Sequence, residues 1–295
     1  MQFIRDIYAA KMAAKQPVIS FEFSPPKTDE GVRNLLEKHI PALAQAKPDF
    51  CSVTYGAGGG TRDKTLLIVE RIQSQHKLTT LAHLTCVNHT RDEVSAIVEK
   101  IRSLGCKNIL ALRGDPPGGG EFKKTPGGFE FASDLVRLIR SQNSFSIGVA
   151  GFPEGHIANK KGKLDDWQHL KEKVDAGADF VLTQLFFDNA DFYRFRDHVA
   201  GKLGVKVPIV PGIVPILSAS GIIGFCQRCG AGIPPSLKAQ LEKLGDDDEA
   251  AAQFGIEFAT KQCEDLLRND APGLHLYTLN KSHSTVQVLK NLGLA

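Results

Sequence analysis

The chain has 295 residues, 42% of them hydrophobic and 23% charged, a near-average globular composition that permits a large core and excludes wholesale disorder. Lys plus Arg (36) against Asp plus Glu (33) leaves a net charge of +3, which signals neither a nucleic-acid partner nor a membrane surface. No run approaches the roughly 18 apolar residues that a bilayer span needs.

Met1 to Pro17 alternates apolar and charged residues and lacks the apolar centre of a secretory signal. It reads as a short amphipathic lead-in helix on a cytoplasmic protein. Eight short apolar, β-rich runs follow: Val18–Phe23, Phe50–Tyr55, Thr80–Cys86, Asn108–Leu112, Ser146–Phe152, Phe180–Phe186, Val207–Ile213 and Leu274–Leu279. Most begin about 28 to 38 residues after the one before, the period of a strand plus a crossover helix. Their nearly continuous hydrophobicity suits parallel strands buried on both faces.

The intervals have helical spacing. In Arg91–Gly105 the apolar positions Val94, Ile97, Val98, Ile101 and Leu104 recur by three and four, behind a capping box of Thr90 with Glu93. Phe131–Arg140, Asp165–Ala176 and Ala190–Leu203 behave similarly. The arithmetic is that of an α/β protein of the (β/α)8 TIM-barrel class. A doubly wound open sheet is the rival, but no G-x-G-x-x-G opens a first helix.

About 60 residues separate the seventh and eighth runs, with extra helices expected over Ser218–Cys229, Pro234–Leu244 and Asp248–Arg268. The acidic run Asp246 to Glu249 suits a helix N-terminus. No linker or low-complexity tract appears, so residues 1–295 are expected to form one barrel domain. The six cysteines are too scattered for a disulfide scaffold, and Cys226 with Cys229 closes a helical stretch rather than opening one, against a redox or zinc site. Lys160, Lys161 and Lys163 read as a solvated loop.

Barrel chemistry collects at the C-terminal strand ends, and these carry polar residues. Glu22 sits between Phe21 and Phe23. Burial there would raise its pKa and suit a general acid, and pairing with a Lys or Arg is an equal alternative. Further ends read Thr54-Tyr55-Gly56-Ala57, His83-Leu84-Thr85-Cys86, Arg113-Gly114-Asp115, Phe152-Pro153-Glu154-Gly155-His156 and Thr183-Gln184-Leu185. There is no Walker A sequence, H-E-x-x-H, G-x-S-x-G or kinase signature, and no metal-ligand spacing.

Taken in order with Leu170 to Asp179, Val210-Pro211-Gly212-Ile213 and Leu276-Tyr277-Thr278-Leu279-Asn280, these segments resemble methylenetetrahydrofolate reductases from about Val18 to Leu294. The resemblance implies an FAD-dependent enzyme that passes hydride from NADH or NADPH to 5,10-methylenetetrahydrofolate. The product, 5-methyltetrahydrofolate, feeds methionine synthesis. By the same resemblance, Glu22 is the general acid and Asp115 the carboxylate near the flavin. FAD contacts carry over to Thr54, Tyr55, Ala57, His83, Arg113, Gly114, Asp115, Ala132, Phe152, His156, Asp166, His169 and Lys173. Folate or nicotinamide contacts carry over to Gln184, Phe225 and Lys281. Phe152 departs from a usual tyrosine, His169 from an asparagine common in bacteria, and Lys281 from a usual arginine. The family also implies a homo-oligomer, and a chain ending at Ala295 is expected to go without the C-terminal regulatory domain of eukaryotic members. Two other classes compete. A phosphate-binding barrel lyase or aldolase should show a Schiff-base lysine or metal ligands. A non-catalytic folate- or flavin-binding protein should have lost Glu22, Asp115 or Gln184.

Overall fold

Eight parallel strands, β1 (Val18–Phe23), β2 (Phe50–Val53), β3 (Thr79–Thr85), β4 (Asn108–Leu112), β5 (Ser146–Gly151), β6 (Phe180–Leu185), β7 (Ile209–Ile213) and β8 (Gly273–Tyr277), close into a barrel in chain order. The computed structural model describes residues 1–56, 61–116, 120, 122–142 and 144–295. Closure pairs β8 back onto β1, Ser20 opposite His275 and Glu22 opposite Tyr277, which excludes the open-sheet rival. Several expected runs overshoot the observed strands at the top by one or two residues, because there the chain leaves the ladder to form the loops.

Helices fill the intervals, including the four read from spacing after the third, fourth, fifth and sixth strands. They are α4 (Arg62–His76), α5 (Arg91–Ser103), α6 (Ala132–Ser141), α7 (Lys163–Asp175), α8 (Asn189–Gly201) and α12 (His283–Asn291). The Thr90–Glu93 capping box forms at the start of α5. After β1 the helix is interrupted: α2 (Asp29–Asn34) and α3 (Ile40–Ala44) flank a π-helical turn, Leu35–His39. The excursion between β7 and β8 holds α9 (Ala219–Cys229), α10 (Pro235–Leu244) and α11 (Asp248–Arg268), with α9 and α10 packed on a separate small core that includes Leu185, Ile216, Ile222 and Leu241.

Strand alternation sorts each side chain to one of two cores. Ile19, Phe21 and Phe23 face outward against the helices, whereas Val18 joins Phe50, Leu81, Leu110, Phe180 and Val210 inside the barrel. The lead-in helix α1 (Ile4–Ala13) plugs the lower end, laying Ile4, Ile7 and Tyr8 on this inner cluster. Its first turn is pinned by Ile4 N–H to Asn108 Oδ1 (2.8 Å) and Arg5 N–H to Ser146 Oγ (3.1 Å). With the bottom sealed, the upper mouth is left for chemistry. Among the described residues no helix is long and apolar enough to cross a membrane.

Candidate active site

Glu22 does not lie between phenylalanines in space. Phe21 and Phe23 point outward, and the Glu22 carboxylate points into the barrel among histidines. This corrects both sequence expectations for its surroundings, the apolar sandwich and the Lys or Arg partner. Its Oε2 is 3.4 Å from His275 Nε2 and 3.6 Å from His83 Nε2, with the Glu22 side chain 14% exposed. Burial pulls the His83 pKa down to about 4, against the opposing charge of Glu22. His83 is therefore neutral at pH 7, and its Nε2 has no hydrogen-bond partner. The Glu22 backbone is held from β8: its carbonyl accepts from Thr278 Oγ1 (2.7 Å) and Thr278 N–H (3.3 Å). Just beyond, Leu279 (φ 48°) and Asn280 (φ 59°) take left-handed conformations, and the Asn280 amide clasps both Ser24 N–H and Ser24 C=O. That turn fixes the upper end of β1.

A cationic group lies across the mouth on β4, β5 and α7. Arg113, His156 and Lys173 surround one another with Asp115 and Asp166. Lys173 reaches from α7 to donate to the Ala150 carbonyl (2.6 Å), and burial first, then Arg113, draws its pKa down to about 8. The His156 pKa is lowered chiefly by burial and secondly by Arg113. Asp166 accepts from His156 N–H, and burial raises its pKa. Asp115 is exposed, 3.8 Å from His156 Nε2. Phe152 stands edge-on to the His156 ring at 4.6 Å, so a hydroxyl-free aromatic fills the wall there.

Gly114 lies between the two halves. It has φ +81°, and a Cβ would come within 2.6 Å of Val87 Cγ1 and 2.9 Å of Thr85 Cβ. The backbone can lie this close only without a side chain. Thr85 Oγ1 beneath it is buried without a partner. An orphaned hydroxyl, the cations Arg113 and Lys173 and the His156 ring across the mouth fit a large anionic, hydrogen-bonding cofactor such as FAD.

The remaining expected residues divide. Gln184 lies where the β6–β7 register shifts between Leu182 and Leu185, an irregularity that re-aims side chains at a rim. It lines one pocket with Phe152 and Glu154, while Phe225 on α9 lines a second with Leu279 and Arg228. Thr54 and Ala132 are half-buried; Tyr55 is buried, its hydroxyl on His89 Nε2 (3.2 Å). His169 is exposed, bridging Asp165 (3.2 Å) and Glu172 (3.4 Å) and stacked on Phe131. Lys281 is exposed beyond the β8 turn and depresses the pKa of His39, after burial. Ala57 lies outside the described residues.

Sequence reasoning assigned no role to His275, Tyr277 or Glu154. Tyr277 donates to the Thr183 carbonyl (2.7 Å) across the barrel. Glu154 accepts from Gly232 N–H with both oxygens at 3.0 Å, tying the α9–α10 loop to the end of β5. A polar residue at an inward position of β8 was the available signal, but only closure places it beside β1. Cys226 and Cys229 end α9, and burial raises both thiol pKa values, Cys226 to about 12, the opposite of a redox thiolate. Among the described residues no group of three His, Cys, Asp or Glu is placed to hold a metal.

The methylenetetrahydrofolate reductase family profile matches residues 7–293. The chain is 44% identical over 290 residues to methylenetetrahydrofolate reductase (NADH) 1 of Arabidopsis thaliana, covering 95% of this chain and 49% of that one. It is 37% identical over 276 residues to the 5,10-methylenetetrahydrofolate reductase of Escherichia coli, covering 93% of this chain and 90% of that one. The chain thus spans about half the length of the plant relatives it matches. A solved Clostridium thermocellum protein described as binding two copies of 5-methyl-5,6,7,8-tetrahydrofolic acid shares the fold, with TM-score 0.68 at 18% identity over 98% of this chain and 97% of that one. A (β/α)8 barrel with this mouth and this continuous sequence match belongs to the methylenetetrahydrofolate reductase family.

Proposed function

We propose that this chain reduces 5,10-methylenetetrahydrofolate to 5-methyltetrahydrofolate with NADH or NADPH, through FAD bound at the upper mouth of the barrel. The observation that carries the reading is Glu22, an inward carboxyl at the end of β1 facing a cationic cradle, in a chain matched to the family from residue 7 to 293. FAD, when bound, supplies the relay that accepts hydride from the nicotinamide and returns it to the folate.

Arg113, His156 and Lys173 would hold the pyrophosphate, and Gly114, Thr54, Tyr55 and His83 would line the rest of the cofactor's site. Asp115 sets a negative charge near the reacting groups; it disfavours further negative charge and stabilises a cation in the substrate. Glu22 donates a proton to the departing amine nitrogen of the folate, whose bond to the one-carbon unit breaks. The iminium cation so formed accepts hydride at its carbon. Gln184, in the pocket beside Phe152, and Phe225, in the pocket on α9, would contact the folate or the nicotinamide. The barrel's sealed lower end leaves the upper mouth for both substrates, consistent with a ping-pong order. The same reading takes the protein as a cytoplasmic homo-oligomer supplying methyl groups for methionine synthesis. The plant relatives are named as NADH enzymes, and stopped-flow comparison of the two nicotinamides decides the donor here.

The test is spectroscopic. Protein reconstituted with FAD should bleach anaerobically with NADH or NADPH and regain its colour on adding 5,10-methylenetetrahydrofolate. Protein that fails to bind FAD, or bleaches without folate-dependent recovery, refutes the reading.

A further inference from the structure

Helix α9 divides the upper mouth. Cys229 at its C-terminal end lines the hollow that holds Gln184, and Phe225, one turn earlier, lines a second hollow of about 250 Å³ with Leu279 and Arg228. A sideways shift of α9 would therefore change the width of both. Its inner face, Ile222 and Cys226, rests on a small apolar core with Leu185, Ile216 and Leu241. Apolar contact is non-directional, so this core by itself does not fix where α9 stands.

The directional restraint comes from the facing wall. The turn after β5 is braced from α7, because Trp167 Nε1 donates to the Phe152 carbonyl (2.9 Å), and Pro153 is buried. From this base the half-buried Glu154 side chain reaches the turn after α9, 78 residues away in the chain, where both its oxygens lie 3.0 Å from the Gly232 amide nitrogen. The approach is so close that a Cβ on Gly232 would come within 2.5 Å of Glu154 Oε1. Ile157 closes against the same turn: a Cβ on Gly230 would stand 2.7 Å from the Ile157 Cβ. Burial raises the Glu154 pKa, and the bond from Gly232 opposes that rise by favouring the charged form. The polar contact and the apolar one together tie the C-terminal end of α9 to the wall that carries Phe152.

We propose that Glu154 is a positioning residue for both substrates: by accepting from Gly232 it fixes α9 and so sets the spacing between Gln184 and Phe225. The inference rests on the reading that these two residues contact the folate or the nicotinamide. Glu154 takes no part in proton or hydride transfer. Its loss therefore weakens binding of both ligands and leaves the chemical steps at saturation in place.

The tests begin on ligand-free protein. Glu154→Ala should speed amide hydrogen exchange at Gly232 and over the last turn of α9 by about tenfold or more, and leave α11 unchanged. In the FAD-loaded variant, the half-saturating concentrations of the nicotinamide in flavin bleaching and of 5,10-methylenetetrahydrofolate in flavin recovery should both rise about three- to thirtyfold. FAD affinity and both saturated rates should stay within about twofold of wild type. Glu154→Gln keeps one acceptor and should restore most of the loss. Gly232→Ala displaces the carboxylate with a methyl and should match Glu154→Ala, and the double variant should be no worse than either single. Gly232→Ala also carries the test should Glu154→Ala not fold. Unchanged exchange, unchanged half-saturation, additive effects in the double variant, or equal loss of FAD affinity or of the saturated rates overturns the inference. If Gln184→Ala and Phe225→Ala leave both half-saturating concentrations as in wild type, the reading of these residues as contacts itself fails. If those two raise them while Glu154→Ala does not, only the role of Glu154 fails.

Discussion

Lys173 on α7 donates through its ammonium to the carbonyl of Ala150 on β5, 2.6 Å away, and so plants a cation at the rim of the barrel rather than in solvent. Its pKa falls from the usual 10.5 to about 8, mainly through burial. The unfolded chain therefore holds this proton more tightly than the folded one. The associated stability is present above pH 10.5 and is lost as pH falls to about 8. Thermal melts of ligand-free protein between pH 8 and 10 should show a stabilising slope that Lys173→Met lacks. The same variant should bind FAD roughly ten- to hundredfold more weakly, the worth of a charge-assisted hydrogen bond. An unchanged slope would place the buried charge elsewhere.

His83 supplies the acid-side counterpart. Its folded pKa of about 4 lies below the usual 6.5, with burial the main cause. The unfolded chain binds the proton first as pH drops, so the associated stability is full above 6.5 and is lost on the way to 4. Urea midpoints measured at pH 7, 5 and 4 should fall less steeply in His83→Asn than in wild type.

Gly114→Ala places a methyl against Val87 and Thr85 at a left-handed position. The expected cost is about 1–3 kcal/mol, with loss of FAD retention on gel filtration. A variant as stable as wild type and still yellow would show that the cradle relaxes.

Glu22→Gln should leave flavin bleaching by the nicotinamide largely intact and slow folate reduction about 10²–10⁴-fold, the usual worth of a general acid. Single-turnover measurement of the two half-reactions separates them. Equal loss in both would make Glu22 structural.

Asp115→Asn should raise the midpoint potential of bound flavin and slow folate reduction, since a negative charge near the ring is removed. Potentiometric titration measures the first effect. An unmoved potential removes the electrostatic role.

What the sequence determined by itself is local. The eight strands and their intervening helices follow from hydrophobic period and caps, which are written within a few residues of where they act. Val18–Phe23, Asn108–Leu112 and Asp248–Arg268 appear in the structure with the expected bounds. The polar strand ends are also legible, because parallel strands buried on both faces have no structural need of them. What surrounds Glu22 was decided only by the tertiary structure. Its neighbours in the chain, Phe21 and Phe23, point away from it because a strand alternates its faces, and its neighbours in space come from β3 and β8. His275 is 253 residues distant in the chain, and closure of the barrel alone sets β8 against β1 in the register that puts an imidazole beside a carboxyl.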